Sequence, residues 1–147
     1  MQPATVGAIL DAIAGHAEYA TERDRLDRAG TTHLSAHHKF GTVSIRESYH
    51  AVARTLGSSH PLIRQLYWRD FFTHIAWHFP HVFRHAFQRR YDGLAWSGRD
   101  DWFEAWCTGR TGFPIVDAGL RELAATGSMH NRARMIVASF LVKDLLV

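Results

Sequence analysis

The apolar residues of this chain recur at spacings of three and four, and no segment alternates apolar and polar residues as a half-buried strand does. The clearest case is a helix predicted from about residue 61 to 79, where Pro61 fits the first turn and Pro80 ends or kinks the helix. Pro114 opens a second such segment, predicted over residues 115–125. The sequence therefore predicts an all-α fold.

Shorter helices are predicted around these two. Residues 4–18 have helical spacing, with Tyr19 closing that helix. Ser44 and Glu47 form a capping box for a helix to about Leu56. Further predictions are a helix capped by Asp100 or Asp101 and running through Cys107, a last helix from about His130 to the final residue, a loop with one helical turn over 81–97, and a loop or tight turn over 31–35.

Composition limits the class of protein. A chain of 147 residues with 46% hydrophobic residues can bury the core of one domain, and it contains no apolar run long enough to span a membrane. The single Cys107 and the lack of a signal segment favour a cytoplasmic location, and no obligate protein partner is evident. The last predicted helix is still apolar at Val147, which favours a fragment of a longer protein.

Fifteen of the seventeen basic residues are Arg, which suits planar contact with phosphate and also fits a GC-rich genome. On the long helix, Gln65, Trp68, Arg69 and Phe72 share one face, a pattern that suits stacking on a base beside a phosphate. The alternative is that Trp68, like most Trp residues in a small domain, lies in the core.

On the last predicted helix, Asn131, Arg134, Met135 and Ala138 share one face, which combines an amide, a guanidinium and a thioether with apolar residues. This face suits a flat heteroaromatic ligand with a polar edge. The alternative is that Asn131 caps the helix and that Arg134 pairs with a carboxylate.

Four histidines, His74, His78, His81 and His85, have spacings that could chelate a transition metal. Pro80 interrupts the helix between them, and no Cys or acidic ligand completes the set. The sequence therefore predicts no metal site, and a His- and Arg-rich module that binds metal or DNA is a remote alternative.

Taken together and in order, the motifs resemble the FAD-binding helical domain of DNA photolyases and cryptochromes, most closely a class I cyclobutane pyrimidine dimer photolyase. The motifs are Tyr19, Arg23-Asp24, Gly30-Thr31-Thr32-His33-Leu34-Ser35, Phe40-Gly41, Ser44, Ile63 to Phe71, Ala105-Trp106, Gly109 to Asp117, Met129 to Met135 and Ser139 to Asp144. Thr32, His33 and Ala36 depart from the family pattern, where Ser, Arg and Pro are common.

The resemblance implies an all-helical domain that holds FAD and receives a flipped pyrimidine dimer of damaged DNA, which photolyases repair by light-driven electron transfer. It implies three sets of site residues. The cofactor-binding set is Tyr19, Thr31, Thr32, His33, Leu34, Ser35, Gln65, Arg69, Asn131 and Arg134. The DNA-binding set is Arg23, Gln65, Trp68, Arg69, Asn131, Arg132 and Met135. The catalytic set is Gln65, Trp68 and Asn131, with Trp96 at the position of the outermost electron-transfer Trp.

The resemblance also implies that residues 1–147 are the N-terminal portion of the FAD-binding domain, without the antenna-binding α/β domain and the C-terminal helices. The antenna chromophore stays unknown. We therefore expect a photolyase as the parent protein, and a chain that by itself binds FAD weakly or not at all. A cryptochrome photoreceptor and a non-catalytic truncated remnant are the alternatives.

Overall fold

A computed structural model of the protein describes residues 5–147, and over these residues it contains helices and loops but no strand. This confirms the predicted all-α class. Residue 4, where the first helix was predicted to begin, lies outside the described residues. The α-helices are α1 (Val6–Asp11), α2 (Tyr19–Glu22), α3 (Leu34–Phe40), α4 (Ile45–Leu56), α5 (Pro61–His78), α6 (Asp100–Cys107), α7 (Pro114–Thr126) and α8 (Asn131–Ser139). Short 3-10 helices span Ala12–His16, Pro80–Phe83 and Arg89–Tyr91, and a π-helix spans Phe140–Leu145.

The described residues up to Arg89 form one compact unit, and Arg90–Val147 form another. The core of the first unit joins the N-terminal helices to α4 and to the first turn of α5. Its buried members are Ile13, Tyr19, Ala51, Val52, Leu62 and Ile63.

Helix α4 begins where the sequence predicts. The Ser44 hydroxyl accepts a hydrogen bond from the backbone N–H of Glu47 at 3.0 Å, and the helix ends after Leu56 at Gly57, whose φ is +93°. Ser48, Ala51 and Val52 share the buried face, at the spacings of three and four that one helix face requires. Local sequence therefore accounts for this helix.

Helix α5 also has the predicted ends, but most of its aromatic residues are exposed. Leu62 and Ile63 near its N-terminus are buried, whereas Trp68 is 51% exposed and Trp77 is 81% exposed. The expectation that most Trp residues lie in the core is therefore wrong, because Trp96 and Trp102 are also exposed.

Two predictions fail between residues 19 and 40. Tyr19 does not close a helix but begins α2, after the chain has tightened into a 3-10 turn. Leu34 and Ser35 are not loop residues but form the first turn of α3. This helix follows His33, which has a left-handed backbone with φ of +55° and no side-chain capping bond.

The second unit is centred on the packing of α7 against α8. Its buried members are Val116, Leu120, Met129, Ala133 and Val137. The helices meet at Gly119, where an added Cβ would lie only 3.1 Å from Cγ2 of Val137. The indole N–H of Trp106 donates to the carbonyl of Val137 at 3.1 Å, which ties α6 to the pair.

The last helical segment begins where it was predicted, near His130, but its cap and its end differ from the predictions. His130, not Asn131, caps α8, because its Nδ1 accepts from the N–H of Arg132 at 3.1 Å. The α-helix ends at Ser139, continues as a π-helix and stops at Leu146, whose φ is +53°. Arg99, not Asp100 or Asp101, occupies the N-cap position of α6.

Asp117 organises the turn before α7. Its carboxylate accepts hydrogen bonds from the Thr111 N–H at 2.7 Å, the Thr111 hydroxyl at 2.7 Å and the Gly112 N–H at 3.1 Å. The bond from the Thr111 hydroxyl is the main reason that the pKa of Asp117 is lowered, with burial opposing the shift. The charged carboxylate therefore stabilises the folded turn.

Replacement of Asp117 by alanine is expected to lower the thermal unfolding midpoint by roughly 5 to 10 °C, because two backbone N–H groups and a hydroxyl lose their acceptor. Since the folded pKa is depressed, the stabilisation is present above about pH 4, the pKa of an unfolded Asp, and is lost as pH falls through the folded pKa. Hydrogen exchange at the backbone amides of Thr111 and Gly112 shows whether the loss of stability is centred on this turn. Asp100→Ala is the exposed control, and equal acid sensitivity of the two variants would contradict the assignment.

Candidate functional site

A cavity of about 370 Å³ lies within the first unit, between α2, the following loop, α3, α4 and α5. Its volume is at the lower end of the range for small-molecule sites. The lining residues are Tyr19, Thr31, Thr32, Leu34, Ser35, His38, Lys39, Ser48, Val52, Leu62, Gln65, Leu66 and Arg69. Seven of the predicted cofactor-binding residues are therefore adjacent to one cavity.

The first wall is the loop that returns to the end of α2. Gly30 packs against Glu22, so closely that an added Cβ would lie 2.9 Å from the Glu22 carbonyl oxygen. Arg28 also pairs with the Glu22 carboxylate at 3.3 Å. These contacts fix the position of the loop, and Thr31 and Thr32 follow directly with their side chains at the cavity.

The second wall is formed by α3 and α4. Leu34 is buried, and Ser35, His38 and Lys39 line the cavity from the same helix. Nε2 of His38 lies 2.8 Å from Oγ of Ser48, which belongs to α4 and is 1% exposed. This contact places two polar groups next to the apolar side chain of Val52.

The third wall is α5, which contributes Gln65, Leu66 and Arg69. A guanidinium nitrogen of Arg69 lies 3.7 Å from the Asp70 carboxylate, and both side chains are substantially exposed. A solvated pair at this distance is weak, so Arg69 keeps most of its capacity to bind an anion.

The polar atoms of this lining suit an anionic, oxygen-rich ligand. Hydroxyl groups come from Tyr19, Thr31, Thr32, Ser35 and Ser48, positive charge comes from Lys39 and Arg69, and the lining contains no Asp or Glu. Burial raises the pKa of Tyr19, which keeps its hydroxyl protonated and able to donate. Hydroxyl donors beside two cations are the chemistry that phosphate groups require, so the lining fits the diphosphate of a dinucleotide such as FAD.

Of the predicted DNA-contacting residues of the first unit, Gln65 and Arg69 line this cavity, whereas Arg23 and Trp68 lie outside the lining. Trp68 stacks on Phe72 with ring centroids 6.0 Å apart and meets Phe71 edge-on at 5.5 Å. The Arg23 guanidinium lies 5.6 Å from the Tyr19 ring centroid and 3.7 Å from the Asp24 carboxylate. Trp68 is therefore an exposed aromatic surface and not a core residue. His33 is likewise absent from the described lining.

The residues of the second unit that were predicted to contact FAD or DNA all lie on α8. The Asn131 amide approaches the Met135 sulfur at 4.0 Å, as expected for positions one turn apart. Arg134 donates to the Met129 carbonyl at 3.3 Å rather than pairing with a carboxylate. Arg132 is half-buried, in contrast to its exposed neighbour Asn131.

Nε2 of His130 is a buried polar atom with no hydrogen-bond partner. Because Nδ1 of this ring accepts from the Arg132 N–H, a neutral His130 carries its hydrogen on Nε2. An unpaired buried donor costs about 1 to 3 kcal/mol.

Trp96 lies in an irregular segment of the second unit and is half exposed. The neighbouring Ser97 N–H donates to the carbonyl of Leu146 at 2.6 Å, which fixes this segment next to the π-helix. The proposed electron-transfer role of Trp96 stays a prediction.

The histidines of α5 and the following turn do not form a cluster suited to a metal. Within residues 5–147, no three His, Cys, Asp or Glu side chains are arranged to hold an ion. The His74 and His78 rings lie 6.1 Å apart, while His81 contacts the carbonyl of Phe87 at 3.3 Å.

Sequence reasoning missed six of the lining residues, which are His38, Lys39, Ser48, Val52, Leu62 and Leu66. One signal was available for Ser48, because it shares the apolar face of α4 with Val52. His38 and Lys39 carried no such signal, since the helix that presents them was not predicted.

Comparison with known proteins identifies the family. Residues 62–147 match the family model described as the FAD binding domain of DNA photolyase. This match covers more than half of the chain, and the chain therefore belongs to the family of photolyase and cryptochrome FAD-binding domains.

No helix within residues 5–147 has both the length and the apolar content needed to cross a membrane.

Curated relatives named deoxyribodipyrimidine photo-lyase share about two fifths of their aligned residues with this chain. The Neurospora crassa protein is 43% identical over 141 residues, which cover 88% of this chain and 23% of the relative. The Escherichia coli protein is 40% identical over 145 residues, which cover 90% and 30%. The chain thus spans about a quarter to a third of the length of these relatives.

Solved structures agree with the sequence match. A bacterial class III photolyase from Agrobacterium tumefaciens superposes with a TM-score of 0.87 at 36% identity, covering 95% of this chain and 30% of that one. The Synechocystis cryptochrome superposes with a TM-score of 0.74 at 30% identity, covering 95% and 31%. The predicted family is confirmed, whereas the class I subtype stays a prediction.

Proposed function

We propose that this chain is the N-terminal portion of the FAD-binding domain of a photolyase, and that its cavity holds the diphosphate of FAD. The observation that carries this proposal is the lining itself, in which five hydroxyl groups and two cations meet without a carboxylate. The chain by itself binds FAD weakly and reversibly through this cavity.

The residues of the cavity have separate tasks in this proposal. Thr31, Thr32 and Ser35 donate hydrogen bonds to phosphate oxygens, and Arg69 balances their charge. Gln65 orients the ligand from α5. The apolar side chains of Val52 and Leu62 exclude water from the inner side, which strengthens each of these polar contacts.

For the parent protein we propose light-driven repair of cyclobutane pyrimidine dimers in DNA, as in a class I photolyase. Bound FAD supplies the photochemical electron transfer of that reaction. Trp68, half exposed and backed by Phe72, offers a flat surface on which an unstacked base can lie. Arg23 of the first unit is also proposed to contact DNA. In the second unit, Arg132 and Met135 are proposed to contact DNA, and Asn131 and Arg134 to contact FAD.

Arg69→Ala is expected to weaken FAD binding about tenfold, since a charged hydrogen bond to phosphate is worth about 1.5 to 3 kcal/mol. The measurement is a fluorescence titration of FAD with the chain, with riboflavin as the ligand that lacks phosphates. Riboflavin should bind the unmodified chain much more weakly than FAD and should be insensitive to the substitution.

Arg64→Ala is the matched control, because Arg64 is an exposed arginine of the same helix that does not line the cavity. Equal losses of FAD affinity in the two variants would show that the effect comes from the change in net charge and not from a contact at the cavity. Failure of FAD to bind the unmodified chain at any attainable concentration would refute the proposed site. FAD retained near stoichiometry through desalting would refute the weak binding.

A photoreceptor is the second candidate, favoured by the similarity to the Synechocystis cryptochrome. The two functions differ in one measurement, the light-dependent loss of dimers from an irradiated oligonucleotide by the FAD-loaded parent protein. Repair supports the photolyase. Flavin photoreduction without repair supports the photoreceptor.

A further inference from the structure

We propose that His38 and Ser48 form a proton-coupled binding element, in which His38 takes up a proton when a phosphate-bearing ligand enters the cavity. This inference rests on the proposed function of the same cavity. It assigns a task to two residues that neither the sequence motifs nor the family resemblance singled out.

The geometry of the pair is specific. Nε2 of His38 lies 2.8 Å from Oγ of Ser48, the serine is almost completely buried, and both side chains line the cavity. A serine hydroxyl can donate or accept, and so can a neutral imidazole. With His38 neutral, the hydrogen of this bond can therefore sit on either partner.

Protonation of His38 removes that freedom. Both nitrogens of an imidazolium are donors, so Nε2 must donate and Oγ of Ser48 must accept. The hydroxyl hydrogen of Ser48 then becomes available to an acceptor in the cavity, such as a phosphate oxygen. One proton taken from solvent thus creates a positive charge and a directed donor.

The surroundings of His38 oppose its protonation in the free protein. Burial has the largest effect, and the nearby Arg69 and His37 add to it, so that the pKa of His38 is lowered. Lys39 contributes a further positive charge to the lining.

No carboxylate lines the cavity, although that of Asp70 on α5 lies 3.7 Å from Arg69. Helix α1 also packs against α3, and its only ionisable side chain is Asp11, which is outside the lining. Helix α4 faces the ring with Ser48, while its ionisable residues Arg46, Glu47, Tyr49, His50 and Arg54 are likewise outside the lining.

A bound diphosphate reverses the balance. Its negative charge favours the imidazolium, so the pKa of His38 is higher in the complex than in the free protein. Between these two pKa values, binding takes up a proton and the affinity rises as pH falls. Below the free-state pKa His38 is charged in both states, and the affinity no longer depends on its titration.

Calorimetric titration of the chain with FAD tests the coupling. FAD is expected to bind about three- to tenfold more tightly at about pH 6 than at about pH 8. The heat should depend on the ionisation enthalpy of the buffer, which reports proton uptake. His38→Gln keeps a hydrogen-bonding partner for Ser48 but cannot titrate, so it should lose both the uptake and the pH dependence.

His50→Gln is the control, because His50 is an exposed histidine of the helix that carries Ser48. It should behave like the unmodified chain. Uptake that persists unchanged in His38→Gln would overturn the inference while leaving the proposed function standing.

A second measurement does not depend on flavin. The His38 ring resonances, followed by NMR against pH, should titrate at higher pH when inorganic pyrophosphate is added. No movement would overturn the inference even if FAD binds. Movement without any FAD binding would support the coupled pair and refute the dinucleotide site.

Discussion

Gly30→Ala is expected to abolish measurable binding of FAD to this chain. An alanine Cβ at this position would lie 2.9 Å from the carbonyl oxygen of Glu22 and 3.1 Å from its carbonyl carbon. These are backbone atoms of α2 and cannot rotate away, so the loop itself must move. Thr31 and Thr32 follow directly, and the proposed site then loses two hydroxyl donors to phosphate, together worth on the order of a hundredfold in affinity.

Gly15→Ala is the matched control, since a Cβ there meets no atom within 4 Å. Both variants should keep their helical circular dichroism. Retention of full FAD affinity by Gly30→Ala would show that the loop does not position the phosphates. An equal loss in Gly15→Ala would show that the assay reports general instability.

Ile13→Ala is expected to lower the free energy of unfolding by about 2 to 5 kcal/mol. Ile13 is 0% exposed and packs in the core with Tyr19, Val52 and Leu62, all three of which also line the cavity. Removal of the side chain leaves a void next to these residues. The substitution should therefore weaken FAD binding as well as stability, although Ile13 is not a lining residue.

Urea denaturation followed by circular dichroism measures the loss of stability. Ile115→Ala removes the same atoms from a side chain that is 48% exposed, and it should cost much less. Similar midpoints for the two variants would contradict the assignment of Ile13 to the core.

Local signals in the sequence account for the helices that have distinct ends. Ser44 with Glu47 marks the start of α4, and Pro61 marks the start of α5. The proline and the serine act within one turn of the backbone, so they can be identified without knowledge of the fold. The same holds for Gly127, whose left-handed backbone ends α7.

Helix α3 could not be predicted in this way. It has seven residues, of which only Leu34 is buried, and it begins after a left-handed histidine rather than after a capping side chain. Neither an apolar stripe nor a cap was available to indicate it. The π-helix at Phe140–Leu145 is a similar case, because its apolar residues resemble those of an ordinary helix.

The residues of the candidate site likewise fall into two groups, those that could be predicted from the sequence and those that could not. Thr31, Thr32, Gln65 and Arg69 were identified by family resemblance, which carries information about distant parts of the chain. The contact between His38 and Ser48 joins two helices that turn toward each other only in the folded unit. Spacing along the sequence does not encode such a contact.

Because Gly119 has no Cβ, α7 and α8 can pack closely at this point, and this close packing sets how the two helices align along their axes. Val137 enters the space above this glycine, and Ala133 lies beside it, 3.4 Å from the position of an added Cβ. A slip of one turn along α7 would bring Ile115 or Leu123 to that point, and neither leaves room for Val137. The position of Asn131 and Arg134 relative to α7 therefore depends on the absence of a side chain at Gly119.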